Sequence, residues 1–107
     1  DATEYAQALF NLGRTDEARA IAAPLVARWR AGTLGDSDGY QACLTLGSVE
    51  LAEERTAEAR AVLGDALRAA ERLDSSQGFE AIQTRCLLAE LEWREGRHDE
   101  ALEWLVD

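Results

Sequence analysis

The 107-residue chain carries few side chains able to do chemistry, and their spacing keeps them apart. His98 is the only histidine, and it falls in the turn-like phrase GRHDEA, where solvent is its expected surrounding. A general base or a metal ligand there would need converging partners, and no cysteine or second histidine stands near it in the chain. Cys43 and Cys86 each lie inside an apolar stretch of helical spacing, which reads as a buried free thiol, and no Cys or His falls at metal-ligand spacing. Carboxylates abound, yet a pair such as Glu53 and Glu54 is far more often surface charge than acid–base machinery. The chain has neither a Gly-rich phosphate loop nor a nucleophile elbow. The expectation is a protein without catalytic residues, metal or cofactor: not an enzyme.

Composition narrows the partner class. The net charge is −10, with eleven Arg and no Lys on the basic side. Phosphate binding needs clustered basic residues and the counterion release that follows, so nucleic acid is disfavoured. An anionic membrane surface is disfavoured on the same ground, and no stretch approaches the length of a membrane span. Residues 74–107 hold nine carboxylates against Arg85, Arg94 and Arg97. That reads first as a solvated, self-repelling surface and second as a face that favours basic partners. Two free thiols and no signal-peptide pattern point to a reduced, cytoplasmic setting. The abundance of Ala and Arg suggests a GC-rich coding sequence. The opening at Asp1 and an abrupt last helix suggest an excerpt of a longer protein.

The elements that position these residues are written in a repeat. GRTDEA (13–18), ERTAEA (54–59) and GRHDEA (96–101) are versions of one phrase. Anchored on Ala18, Ala59 and Ala101, the copies lie 41 and 42 residues apart, a period that points to stacked helical hairpins. Ala, Leu, Glu and Arg dominate, and runs of β-branched residues are absent, so the class is all-α. Apolar residues recur at intervals of three and four: Ala18, Ile21, Ala22, Leu25 and Trp29; Ala59, Val62, Leu63, Ala66, Leu67, Ala70 and Leu73; Phe79, Ile82, Cys86, Ala89 and Trp93. Opposite the second stripe lie Glu58, Arg60, Asp65, Arg68 and Arg72. Helices are predicted near 2–12, 16–31, 39–54, 57–73, 78–95 and 98–106, grouped as hairpins 1–31, 39–73 and 78–107.

The repeated phrase is a hinge. Gly13 and Gly96 can end one helix in the left-handed conformation, Thr15 can cap the next, and Asp16 and Glu17 place negative charge at its positive end. Glu54 replaces glycine in the middle copy, so that turn is expected to close differently. The stretches 31–39 and 74–78 link hairpin to hairpin, with Gly32 as a C-cap and Ser37 or Asp38 as an N-cap. Pro24 falls inside the second helix and should bend it by freeing the carbonyl of Ala20.

These features resemble the tetratricopeptide repeat. Leu46–Gly47 and Leu88–Ala89 sit twelve residues before the anchor alanines, as in that family's first helix, and Ala6 takes the matching place in the first unit. Gly13 and Gly96 match its turn glycine, and Leu63, Ala66 and Leu67 its later packing positions. The period is longer than the family's usual 34 and looks like the long-hairpin variants of kinesin light chains and large bacterial regulators. The resemblance implies a right-handed solenoid of three stacked antiparallel hairpins, serving as a protein-interaction scaffold. It implies a concave groove lined by Gln7, Phe10 and Asn11, by Gln41, Leu44, Ser48 and Leu51, and by Gln83, Cys86, Glu90, Trp93 and Arg94. Trp93 also completes the 79–82–86–89 stripe, and core burial is an equal reading for it. The Lys and Asn clamp of the chaperone-binding members is missing, since no Lys exists here.

The expected function is therefore binding of a peptide or partner domain in that groove. One rival is a self-association or intramolecular module of a larger bacterial regulator; the apolar end Trp104, Leu105 and Val106 could pair a homodimer through the C-terminal edge. Another is an accessory segment of a multidomain enzyme.

Overall fold

The computed structural model describes residues 1–73 and 78–106, of which 83% are helical. Six helices follow in order: α1 (Ala2–Asn11), α2 (Thr15–Arg30), α3 (Asp36–Ala52), α4 (Thr56–Leu73), α5 (Phe79–Arg94) and α6 (His98–Leu105). Among the described residues there is no strand. Consecutive helices pack on one another throughout, and α1 also packs on α3. The result is an all-α helical repeat of the tetratricopeptide kind. Most of the second linker, residues 74–77, lies outside the described residues.

Turn chemistry explains the sharp hairpins. Gly13, Gly32 and Gly96 have φ of +80°, +81° and +78°, the left-handed region that a residue without Cβ enters freely. After Gly13, the amide of Arg14 donates to the Leu9 carbonyl at 2.9 Å, while the Gly13 amide donates to Phe10. This paired closure recurs after α2, α3 and α5. Glu54 takes it too, at φ +61°, so the middle turn closes like the others and not differently. Packing of α3 on α4 fixes the turn, and the side chain accommodates.

The helix starts differ from the capping expectations. α1 opens with a capping box: the Asp1 carboxylate accepts from the Glu4 amide at 3.0 Å. α2 begins at Thr15 itself, preceded by Arg14, with no side-chain cap; the Thr15 hydroxyl instead donates to Glu53 at 3.4 Å. α3 starts at Asp36 after Gly35, so Ser37 and Asp38 lie inside the helix rather than capping it. The Trp29 indole donates to Asp36 Oδ1 at 2.8 Å and ties that first turn to α2. Pro24 is contained within the continuous helix α2.

The core sits around α3, where eleven residues from Gly39 to Leu51 are buried. Gly47 allows α4 to come close: a Cβ there would stand 2.5 Å from Leu63 Cδ2. Asp65, expected on the solvent side of α4, is buried; Arg30 Nε donates to it at 2.7 Å and Arg68 pairs with it as well. A lone buried carboxylate would be costly, and two guanidinium groups make it tolerable.

The third stripe is the main departure. Phe79 is 74% and Trp93 54% exposed, and Ile82 and Cys86 are also exposed. α5 instead buries Ala81, Thr84, Leu88, Ala89, Leu91 and Glu92. Core burial of Trp93 and a buried Cys86 thiol are therefore both overturned. The reason is positional: Ile82, Cys86 and Trp93 occupy the repeat places of Tyr40, Leu44 and Leu51, which are buried in α3. Tyr40 is covered by α5, its hydroxyl meeting the Glu80 carbonyl at 3.3 Å and Gln83 at 3.1 Å. Nothing among the described residues covers α5 in the same way.

Candidate functional site

The odd-numbered helices line one side of the molecule, and their polar faces meet there. Helical spacing puts Gln41, Leu44 and Ser48 on one face of α3, and Gln83, Leu87 and Glu90 on one face of α5. With Gln7 from α1 and Cys86, they line an open recess of about 490 Å³. The Gln7 side chain bridges two helices: its amide nitrogen donates to Asn11 at 3.0 Å, and its oxygen accepts from Thr45 of α3 at 3.0 Å. That pairing sets the amide's orientation before any ligand arrives.

Two further recesses extend this one. Gln7 and Gln41 are shared with a space of about 480 Å³ bounded by Asp1, Thr3, Glu4, Ala8, Asn11, Ser37 and Asp38. Ser48, Leu87 and Glu90 are shared with a smaller space of about 250 Å³ bounded by Phe10, Leu51, Ala52 and Arg94. Arg94 reaches the Leu51 carbonyl at 3.4 Å and pairs with Glu90 at 2.7 Å. The three spaces form a trough with an acidic end, a floor of amides and leucines, and an apolar end holding one arginine.

Of the residues named from the sequence, Gln7, Gln41, Leu44, Ser48, Gln83, Cys86 and Glu90 meet in the central recess. Asn11 lies in the acidic end, and Phe10, Leu51 and Arg94 lie in the apolar end. Trp93 lines none of these spaces; its ring stacks on His98 at 4.0 Å between centroids. Sequence reasoning missed Leu87, whose spacing from Gln83 and Glu90 could have found it. It also missed Asp1, Glu4 and Asp38, which only the packing of α1 on α3 brings to the trough.

Among the described residues, no group of three or more His, Cys, Asp or Glu side chains could hold a metal ion. Cys43 is buried in α3, and burial pushes its thiol up to about 11, so it stays protonated at neutral pH. Burial likewise raises the Tyr40 phenol, which therefore serves as a hydrogen-bonding group between α3 and α5. No helix among the described residues is long and apolar enough to cross a membrane.

Comparison with known proteins agrees with this geometry. Tetratricopeptide repeat family models match residues 40–107 and residues 2–24. Comparisons with curated proteins and with solved structures give no match. Such repeats generally mediate protein–protein interaction, typically as scaffolds without enzymatic activity. With one model spanning more than half of its length and the hairpin geometry described above, the chain belongs to the tetratricopeptide repeat family.

Proposed function

We propose that the three hairpins act as one unit that binds a peptide or a partner helix along the trough of α1, α3 and α5. The observation that carries this reading is the row of side-chain amides, Gln7, Gln41 and Gln83, beside Ser48 and above Leu44 and Leu87. Each amide can both donate and accept, so it can satisfy a backbone N–H or C=O that loses water on binding. The leucines give the ligand apolar area, and Phe10 with Leu51 offers a pocket for one larger apolar side chain. Arg94 favours a carboxylate at that end, and Asp1, Glu4 and Asp38 favour a basic group at the other. The mechanism is complementarity on a preformed surface, without covalent chemistry. A net charge of −10 argues against nucleic acid as the ligand. Two free thiols suit a reducing, cytoplasmic compartment.

The test uses a displayed library of short linear peptides selected against the whole chain. Ser48→Arg and Gln83→Arg fill the recess from exposed or half-buried positions and should weaken a selected peptide by at least about tenfold. Leu102→Arg, far from the trough, should leave that affinity unchanged. Unchanged binding by both trough variants, or a selection that enriches nothing, would overturn the reading.

A further inference from the structure

Two of the trough's glutamines are held from behind by buried hydroxyls of α3. Thr45 is buried, and its hydroxyl donates to Gln7 Oε1 of α1 at 3.0 Å. Tyr40 is buried as well, and its hydroxyl donates to Gln83 Oε1 of α5 at 3.1 Å. The competing acceptor for that proton, the Glu80 carbonyl, stands farther off at 3.3 Å and already takes the Thr84 hydroxyl at 2.8 Å. Burial also raises the Tyr40 phenol, so its proton stays in place at neutral pH. The central helix thus grips both of its neighbours in the same sense, by the amide oxygen.

A planar side-chain amide carries its acceptor oxygen on one side and its two N–H donors on the other. With the oxygens turned to α3, the nitrogens of Gln7 and Gln83 are left to the recess that both residues line. Gln7 gives one N–H to Asn11 at 3.0 Å and keeps the second. Glu90, the one carboxylate lining that recess, is paired with Arg94 at 2.7 Å. The recess therefore offers donors from its α1 and α5 sides, and no cation among the described residues that line it.

Donors without a cation select neutral acceptors. A carboxylate or phosphate brought there would meet a chain of net charge −10 with no charge to pair it. A peptide carbonyl suits these donors and carries no such penalty. A helical ligand has already used its carbonyls on its own amides, all but the last four. An extended segment keeps them.

We infer that Tyr40 and Thr45 are positioning residues that set Gln83 and Gln7 as donors, and that the trough reads the backbone carbonyls of an extended segment of a partner protein. This rests on the trough as the binding site and narrows its ligand from a peptide or helix to an extended peptide.

Two measurements keep the inference separate from the reading beneath it. The first uses the isotope-labelled whole chain without ligand. Tyr40→Phe should move the side-chain carbonyl carbon of Gln83 upfield, because it loses a donor, and leave that of Gln41 in place. Thr45→Val should do the same to Gln7. Unmoved carbonyl carbons overturn the inference, whatever the trough binds. The second uses the library-selected peptide in about 0.5 M salt, where distant charges are screened. Gln83 is exposed, so substitutions there leave folding intact. Gln83→Met removes the donor and should weaken binding about fivefold. Gln83→Glu sets an acceptor against the ligand's carbonyl and should weaken it at least about tenfold beyond Gln83→Met. Equal affinity of these two variants, or a labelled peptide whose bound Cα shifts are helical, overturns the inference and leaves the trough standing. A library that yields no binder removes the trough and the ligand assignment together, while the carbonyl carbons still decide the two positioning roles.

Discussion

Glu54→Gly should stabilise the protein, although it deletes a side chain and adds a glycine. Glu54 is held at φ +61°, in the turn where the two sister hairpins carry glycine. A residue with a Cβ in that region costs roughly 1–2 kcal/mol. Glycine returns about 0.4–1 kcal/mol of this through the greater freedom of its unfolded chain. Removing a negative charge just beyond the C-terminus of α3 adds about 0.3 kcal/mol in its favour. The net gain is about 1 kcal/mol, which for a domain of this size raises Tm by about 5 °C. Urea denaturation followed by far-UV circular dichroism reads it as a shifted midpoint at constant slope. Glu54→Ala is the control: it removes the charge and keeps the Cβ, so it should gain no more than about 0.3 kcal/mol. A glycine variant no more stable than the alanine variant refutes the argument that backbone strain sits in this turn.

Arg60→Met should cost about 2–3 kcal/mol in the same assay, because Glu92 stays buried without its guanidinium; the Arg60→Met/Glu92→Met double variant should recover most of that loss. Hydrogen bonding from Thr56 and then from Arg60 holds the Glu95 carboxyl below its usual range. Its contribution is therefore present above the ordinary carboxylate pKa and is lost as pH falls through the lowered one. Acid titration of stability should be shallower in Thr56→Val than in the wild type; an equal slope counts against that hydrogen bond. A thiol reagent at neutral pH should modify exposed Cys86 quickly and Cys43 only on unfolding, since Cys43 is buried and its pKa stands at about 11. Two equally fast thiols would contradict the placement of α3 in the core.

Much of the architecture was legible because the repeat is written twice over, in spacing and in turn residues. Ala18, Ala59 and Ala101 locate every hairpin, and each helix end predicted from them falls within three residues of the observed one. The capping residues were less legible. Thr15 is drawn to Glu53 across the hairpin interface, and Asp36 is drawn to Trp29, and both are tertiary contacts that local sequence does not announce. The stripe on α5 misled for a related reason. Periodicity identifies an apolar face, but only the neighbours decide whether it is covered, and among the described residues Phe79, Ile82 and Trp93 stay exposed, Trp93 even with its ring stacked on His98. In the trough, the run Gln41–Leu44–Ser48 and its counterpart on α5 could be read from helical spacing and the family resemblance. The acidic end could not, because Asp1, Glu4 and Asp38 meet only once α1 lies against α3.

Amide chemical-shift mapping by NMR addresses the claim of a binding trough most directly. A peptide selected from the library is titrated into the isotope-labelled chain, and the perturbed residues are located on the structure. The trough predicts shifts concentrated at Gln7, Gln41, Ser48, Gln83 and Glu90, with α2 and α4 quiet on their outer faces. Shifts confined to α6 or to the outer faces of α2 and α4 would contradict it.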